Sequence, residues 1–155
     1  MSKPNDNRSA ESQNGGTPFA HFAAEAAGDD TPIAVSIKNR QGDPYVGQAG
    51  QPITISVVGK YSAQYRAVER KLTDVVLKQS RRGVEFDSED AELRHAERIA
   101  GACTEWTLED VDGKLVPFKK PNVIEFLRVA PWVAPQLEQA IEAHERFFAR
   151  SSSNS

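Results

Sequence analysis

With one cysteine in 155 residues, the chain can form no internal disulfide, and its fold must be held by burial and hydrogen bonding. Such cysteine usage suits a reducing cytoplasm. There are three histidines, His21, His95 and His144, none with a companion at metal-ligand spacing. A net charge of -3 is too small to mark a nucleic-acid binder or a membrane-surface protein. No apolar run approaches the length of a membrane span, and the polar beginning lacks a signal-peptide core. Internal repeats are also missing.

The recognisable chemical signatures are missing as well. Gly47-Gln48-Ala49-Gly50 is followed by strand-like sequence and no Lys-Ser/Thr, which excludes a phosphate cradle. Residues 85–92 hold many carboxylates but lack the alternating ligands and central glycine of a calcium loop. They read instead as the acidic start of a helix. Cys103 and His95 share one helical segment without lying a turn apart, so they cannot act as a nucleophile and its base. The basic cluster Lys78, Arg81 and Arg82 has no interleaved aromatic residues for base stacking, and an acidic segment follows it. We therefore expect no catalytic residue, metal ligand or cofactor, and a chain that makes surfaces and is not an enzyme.

What is present is a single domain flanked by polar tails. Residues 1–16 and 151–155 lack apolar side chains enough to offset their ordering entropy and read as disordered. Between the first tail and the domain, Thr17, Pro18 and Gly28 bracket a short helix over 18–27, with Phe19, Phe22, Ala23 and Ala26 on one face. Such a piece either packs loosely or stays disordered, or it docks into a partner's groove. The domain is expected over residues 31–150. Ile33, Val35 and Ile37 alternate as in a half-buried strand, turn residues follow at 39–44, and Tyr45-Val46 and residues 53–58 are also β-prone. A small N-terminal antiparallel sheet of two or three strands follows from this.

About four helices are expected after the sheet, giving an α+β fold that is mainly α. Ser62 caps the first, which runs to about Arg81 with Tyr65, Val68, Leu72, Val75 and Val76 as its stripe. Asp87 or Ser88 caps the second, in which Leu93, Ala96, Ile99, Ala100 and Cys103 line one face and Trp106 lies just past the end. Asp112-Gly113 predicts a small hairpin. Asn122 caps a short third helix through Arg128. Pro131 then breaks the path, and Pro135 opens a last helix about 25 Å long that carries Leu137, Ile141, His144 and Phe148.

Charge is segregated along the chain. Residues 60–82 carry seven basic against two acidic residues, and residues 85–112 carry ten acidic against two basic. Helices joined by a short turn tend to lie side by side, so these opposite charges are expected to set register or partner choice. Their contribution to stability is small, about 0 to 1 kcal/mol for each exposed pair.

Large side chains are densest between Trp106 and Phe148, and their order suggests a family. Residues 53–59 (ITISVVG), Tyr61-Ser62 and Tyr65-Arg66 before a basic helix resemble the strand-to-helix transition of tail assembly chaperones of long-tailed bacteriophages. The later string is similar too: residues 100–106, Asp112-Gly113, Val116-Pro117-Phe118, Asn122, Pro131-Trp132 and Phe147-Phe148. The resemblance covers residues 33–148 and leaves out the first thirty. Tyr61-Ser62 stands where the family pattern has Asp-Ser.

The resemblance implies a non-enzymatic factor in the host cytoplasm. It would coat the tape measure protein, keep it soluble, help bring major tail protein to it, and be absent from the mature virion. It also leaves self-association open. A groove between the last helix and the elbow at residues 126–132 is the expected binding site. Phe126, Leu127, Trp132, Leu137 and Ile141 would be its contacts, with Trp106 and Phe118 as core support. A structural tail or connector component, or a small protein-binding regulator of host machinery, are the alternatives.

Overall fold

The computed structural model describes residues 18–147, so the readings made for the two tails, for Thr17 and for Phe148 lie outside it. The fold is α+β. Three strands, β1 (Ile33–Ser36), β2 (Thr54–Val57) and β3 (Cys103–Trp106), form an antiparallel sheet in the order β1-β2-β3. The helices are α1 (Ala20–Ala27), α2 (Ala63–Arg81), α3 (Ser88–Ala102), α4 (Lys120–Val129) and α5 (Ala134–Glu142). A 3-10 turn at Gly28–Asp30 follows α1, and residues 144–147 form a further helical turn.

The first strand follows its sequence pattern, with Ile33 and Val35 inward and Ala34 and Ser36 outward. Its partner β2 is the central strand, and Ile55, Ser56 and Val57 are all buried. Tyr45-Val46 is not the third strand. Residues 38–52 fold into two tight turns joined by single bridges, Lys38 with Pro44 and Val46 with Pro52. The third strand instead comes directly off α3. The backbone turns extended at Cys103 (φ -79, ψ 143), and Cys103 and Trp106 pair with Val57 and Ile55 across a bulge. Cys103 and Trp106 therefore belong to the sheet, not to a helix and the loop after it.

The sheet's outer edge is blunted by side chains from the last helix. Gln136 of α5 accepts from Lys38 N (2.8 Å) and donates to Lys38 O (2.9 Å), taking the place of a neighbouring strand. At the other end His144 Nε2 lies 2.7 Å from the carbonyl of Thr31. An edge held at both ends in this way is a poor template for a further strand.

Ser62 caps α2 as expected, accepting from Tyr65 N (3.1 Å), and Asp87 caps α3, accepting from Asp90 N (2.8 Å). Asn122 is not a cap. Lys120 and Pro121 open α4 one turn earlier, and Asn122 donates back to Pro117 O (2.9 Å). The last helix is also shorter than expected. It ends at Ala143 (φ -112, ψ 37) after about 13 Å, and a separate turn follows. This break, together with α1, raises the helix count above four.

α3 lies at the centre, packed against α2, α4 and α5, while α5 also covers β2. Its buried side is made of small residues, Ala96, Ala100, Gly101 and Ala102 with Ile99, which lets neighbouring helices approach closely. The basic and acidic helices do lie side by side, but not through their excess charges. The ion pair between them joins Glu69 of basic α2 to Arg98 of acidic α3 at 3.9 Å, against the overall polarity. The close approach is at Gly101, where a Cβ would stand 2.5 Å from a methyl of Val68.

Candidate functional site

Trp106 ends β3 inside the core, where its indole N–H donates to Val116 O at 2.7 Å. Phe118 and Phe126 meet it edge-on, with ring centroids at 5.5 and 6.0 Å. The hairpin around Asp112-Gly113 closes beside this cluster, with Gly113 at φ 79 and Asp110 N bonded to Lys114 O. Val116 is thus held where it can accept the indole bond. Trp106 is buried and Phe118 half-buried.

The elbow beyond it is tightly tied. Pro131 ends α4, and Trp132 sits half-buried with its indole N–H donating to the Tyr45 hydroxyl (2.9 Å). The Arg40 guanidinium stands 5.9 Å from the Trp132 ring centre. Of the five expected partner contacts, Phe126 and Trp132 keep part of their surface. Leu127, Leu137 and Ile141 do not: all three are buried in the core, Leu137 completely. The apolar stripes of α4 and α5 face the sheet and α3, so the residues that make these helices amphipathic are used up by the chain's own packing. Of the three, only Ile141 lines a groove described below.

An open apolar surface occurs elsewhere, on α1. This helix buries none of its residues, and Phe19 and Phe22 are 67% and 68% exposed. Among the described residues, its hydrogen bonds to the rest of the domain come from the turn at its C-terminal end. In the Gly28–Asp30 turn the Asp29 carboxylate accepts from Tyr61 N (2.9 Å) and lies 3.5 Å from His144 Nδ1. The Asp29 carbonyl accepts from Gly59 N (2.8 Å). Asp30 accepts from Ala63 N (2.8 Å), adding a second cap to α2. Gly59 has to be glycine, because a Cβ there would fall 2.3 Å from the Asp29 carboxyl carbon.

Between α1 and residues 142–145 runs a groove of about 630 Å³. Phe22, Ala26 and Tyr61 contribute apolar wall, Asp29 and His144 lie at its base, and Lys60 and Glu142 pair across its rim at 2.8 Å. That hydrogen bond with Glu142 raises the Lys60 pKa. The groove can seat an apolar side chain from a helix laid beside α1, with charges flanking it. Sequence reasoning picked out Phe19 and Phe22 but missed the groove's other wall. The Gly-Asp-Asp sequence after a helical segment was the available signal that α1 is anchored.

A second groove, of about 530 Å³, lies among α2, α3 and α5, where His95 pairs with Glu138 and Arg98 Nε faces Glu69 at 3.9 Å, too far for a hydrogen bond. Burial pushes the Tyr65 hydroxyl there up to about 12. Cys103 is buried, donates to Ile99 O (3.3 Å), and is likewise pushed up to about 12 by burial, so it is no nucleophile at neutral pH. Beside it Lys120 donates to Ala100 O (2.5 Å), and burial lowers its pKa.

Among the described residues, no group of three or more His, Cys, Asp or Glu side chains is placed to hold a metal ion. Nor is any described helix long and apolar enough to cross a membrane. Compared with protein families, with characterised proteins and with solved structures, the chain matches none.

Proposed function

We propose that this chain is a tail assembly chaperone that covers apolar helices of a phage tape measure protein until the tail tube encloses them. In this reading it also helps deliver major tail protein, works in the host cytoplasm, catalyses no reaction and leaves before the particle is complete. The family resemblance supports the reading, and the observation that carries it is α1: a helix with Phe19 and Phe22 in solvent beside an apolar-walled groove. An amphipathic helix can lay its stripe across Phe22 and Tyr61, and its burial offsets the exposure of both partners. Contact on one short helix and one groove suits a weak, reversible complex. The half-buried Phe126 and Trp132 form a second, smaller contact in this proposal.

The test is co-expression of a tape measure fragment with the wild-type chain, with Phe19→Asp/Phe22→Asp, and with Trp132→Asp. The fragment should be soluble with the wild type and should precipitate with the double variant, whose melting curve should be unchanged. Loss with Trp132→Asp alone would move the site to the elbow. A fragment whose solubility ignores the chain altogether would end the proposal.

A further inference from the structure

The C-terminal half of α2, the turn after it and the start of α3 form an arm at the edge of the domain. Between Leu72 and Leu93 no side chain is buried. Val75, Leu77, Val84 and Phe86 are all exposed there, although Arg94 stacks on Phe86 with its guanidinium carbon 4.5 Å from the ring centre. The turn itself is well formed: Gly83 takes a positive φ of 72, and Val84 N bonds back to Gln79 O at 3.1 Å. The apolar exposure thus belongs to a closed helical hairpin, not to a frayed end.

Although Glu89 lies 3.6 Å from Arg128 and Asp87 caps α3, most charges on this arm have no ion-pair partner among the described residues. Lys78, Arg81 and Arg82 make no ion pair among the described residues, and neither do Glu85, Asp87 and Glu92. The arm therefore carries a basic half and an acidic half on either side of the Gly83 turn, with apolar side chains among them. A twofold axis parallel to the two helices of such an arm brings the basic half of one copy onto the acidic half of the other, twice over. A foreign acidic or basic helix would complement only one half.

We propose that this arm is the interface of an isologous dimer of the chain. Lys78, Arg81 and Arg82 of one copy face Glu85, Asp87 and Glu92 of the other, and Val75, Leu77, Val84 and Phe86 pack between them. The opposite charges that fail to pair within the hairpin pair across the dimer. This inference is independent of the proposed function, since it concerns the chain alone.

Sedimentation equilibrium of the full chain at low salt tests it, with Arg81→Glu/Arg82→Glu and Glu85→Lys/Glu92→Lys as variants. The wild type should reach twice the 17.0 kDa chain mass. Each variant alone meets like charge at both symmetric contacts, which should raise the dissociation constant by about 100-fold or more. Mixed together, the two variants are complementary at both contacts and should recover the doubled mass. That recovery also shows that both variants are folded. A wild type that stays monomeric, variants that dimerise as well as the wild type, or a mixture that fails to recover would each overturn the proposal. A monomeric chain whose arm is instead covered by an added tape measure helix would assign the arm to that partner.

Discussion

Replacing Gly101 with alanine should destabilise the domain, although intrinsic helix propensity favours the opposite. Gly101 lies within α3, where glycine to alanine normally gains about 1 kcal/mol. Here the new Cβ would stand 2.5 and 2.6 Å from the two methyls of Val68, against an ordinary carbon contact of about 3.5–4.0 Å. Both methyls face the glycine, and a helical valine has essentially one χ1 well, so rotation gives no escape. The helices must move apart by about 1 Å, an overpacking cost of about 1–3 kcal/mol. The net expected loss is about 1 kcal/mol. Urea unfolding followed by tryptophan fluorescence would show it as a midpoint lower by roughly 0.5 M, taking a slope of about 2 kcal/mol/M. In a Val68→Ala background both methyl clashes are gone and only a 3.0 Å approach to the Cβ of residue 68 remains, so the same substitution should cost far less or stabilise. The coupling between the two sites should therefore be about 1–3 kcal/mol. If Gly101→Ala raises the midpoint equally in both backgrounds, α2 and α3 do not meet as described.

Burial holds Cys103 at about 12 in the folded chain against an ordinary 9.0, so the unfolded chain releases its proton first as pH rises. Stability should then fall between about pH 9 and 12, by up to ~4 kcal/mol, and Cys103→Ala should flatten that decline in pH-dependent melting. Gln136→Ala removes both bonds to Lys38, and a loss of about 1–2 kcal/mol in chemical unfolding is expected, with faster amide exchange at residue 38. Gly59→Ala pushes the Asp29 carboxylate off Tyr61 N and His144, which should cost about 2–4 kcal/mol by urea titration. A fully stable Gly59→Ala protein would contradict the described seat of α1.

Much of the fold could be read from local signals. Ile33, Val35 and Ile37 alternate over one face, Ser62 and Asp87 are caps, and Pro135 opens a helix, each because the residue's own backbone chemistry decides the outcome. The third strand could not be read this way. Ala100 and Ala102 continue a helical pattern into Cys103, and only pairing with β2, nearly fifty residues away, draws the chain out straight there. Tyr45 and Val46 have strand propensity, and Tyr45 bonds through its backbone to Ile37 and Ile53, but the tight turns on either side stop the pairing at isolated bridges. The burial of three expected contacts escaped the sequence for a related reason. A stripe such as Leu127, Leu137 and Ile141 looks the same in sequence whether it faces a partner or the chain's own core. What marks α1 as different is tertiary: among the described residues Phe19 and Phe22 stay about two-thirds exposed.

In the proposed role the chain shields another protein's apolar helices temporarily and leaves. Quantitative mass spectrometry of tape measure complexes purified during tail assembly, and of finished particles from the same cells, tests it directly. The account predicts several copies of the chain per tape measure protein in the assembling complexes and none in the particles. A fixed stoichiometric amount in finished particles would contradict it.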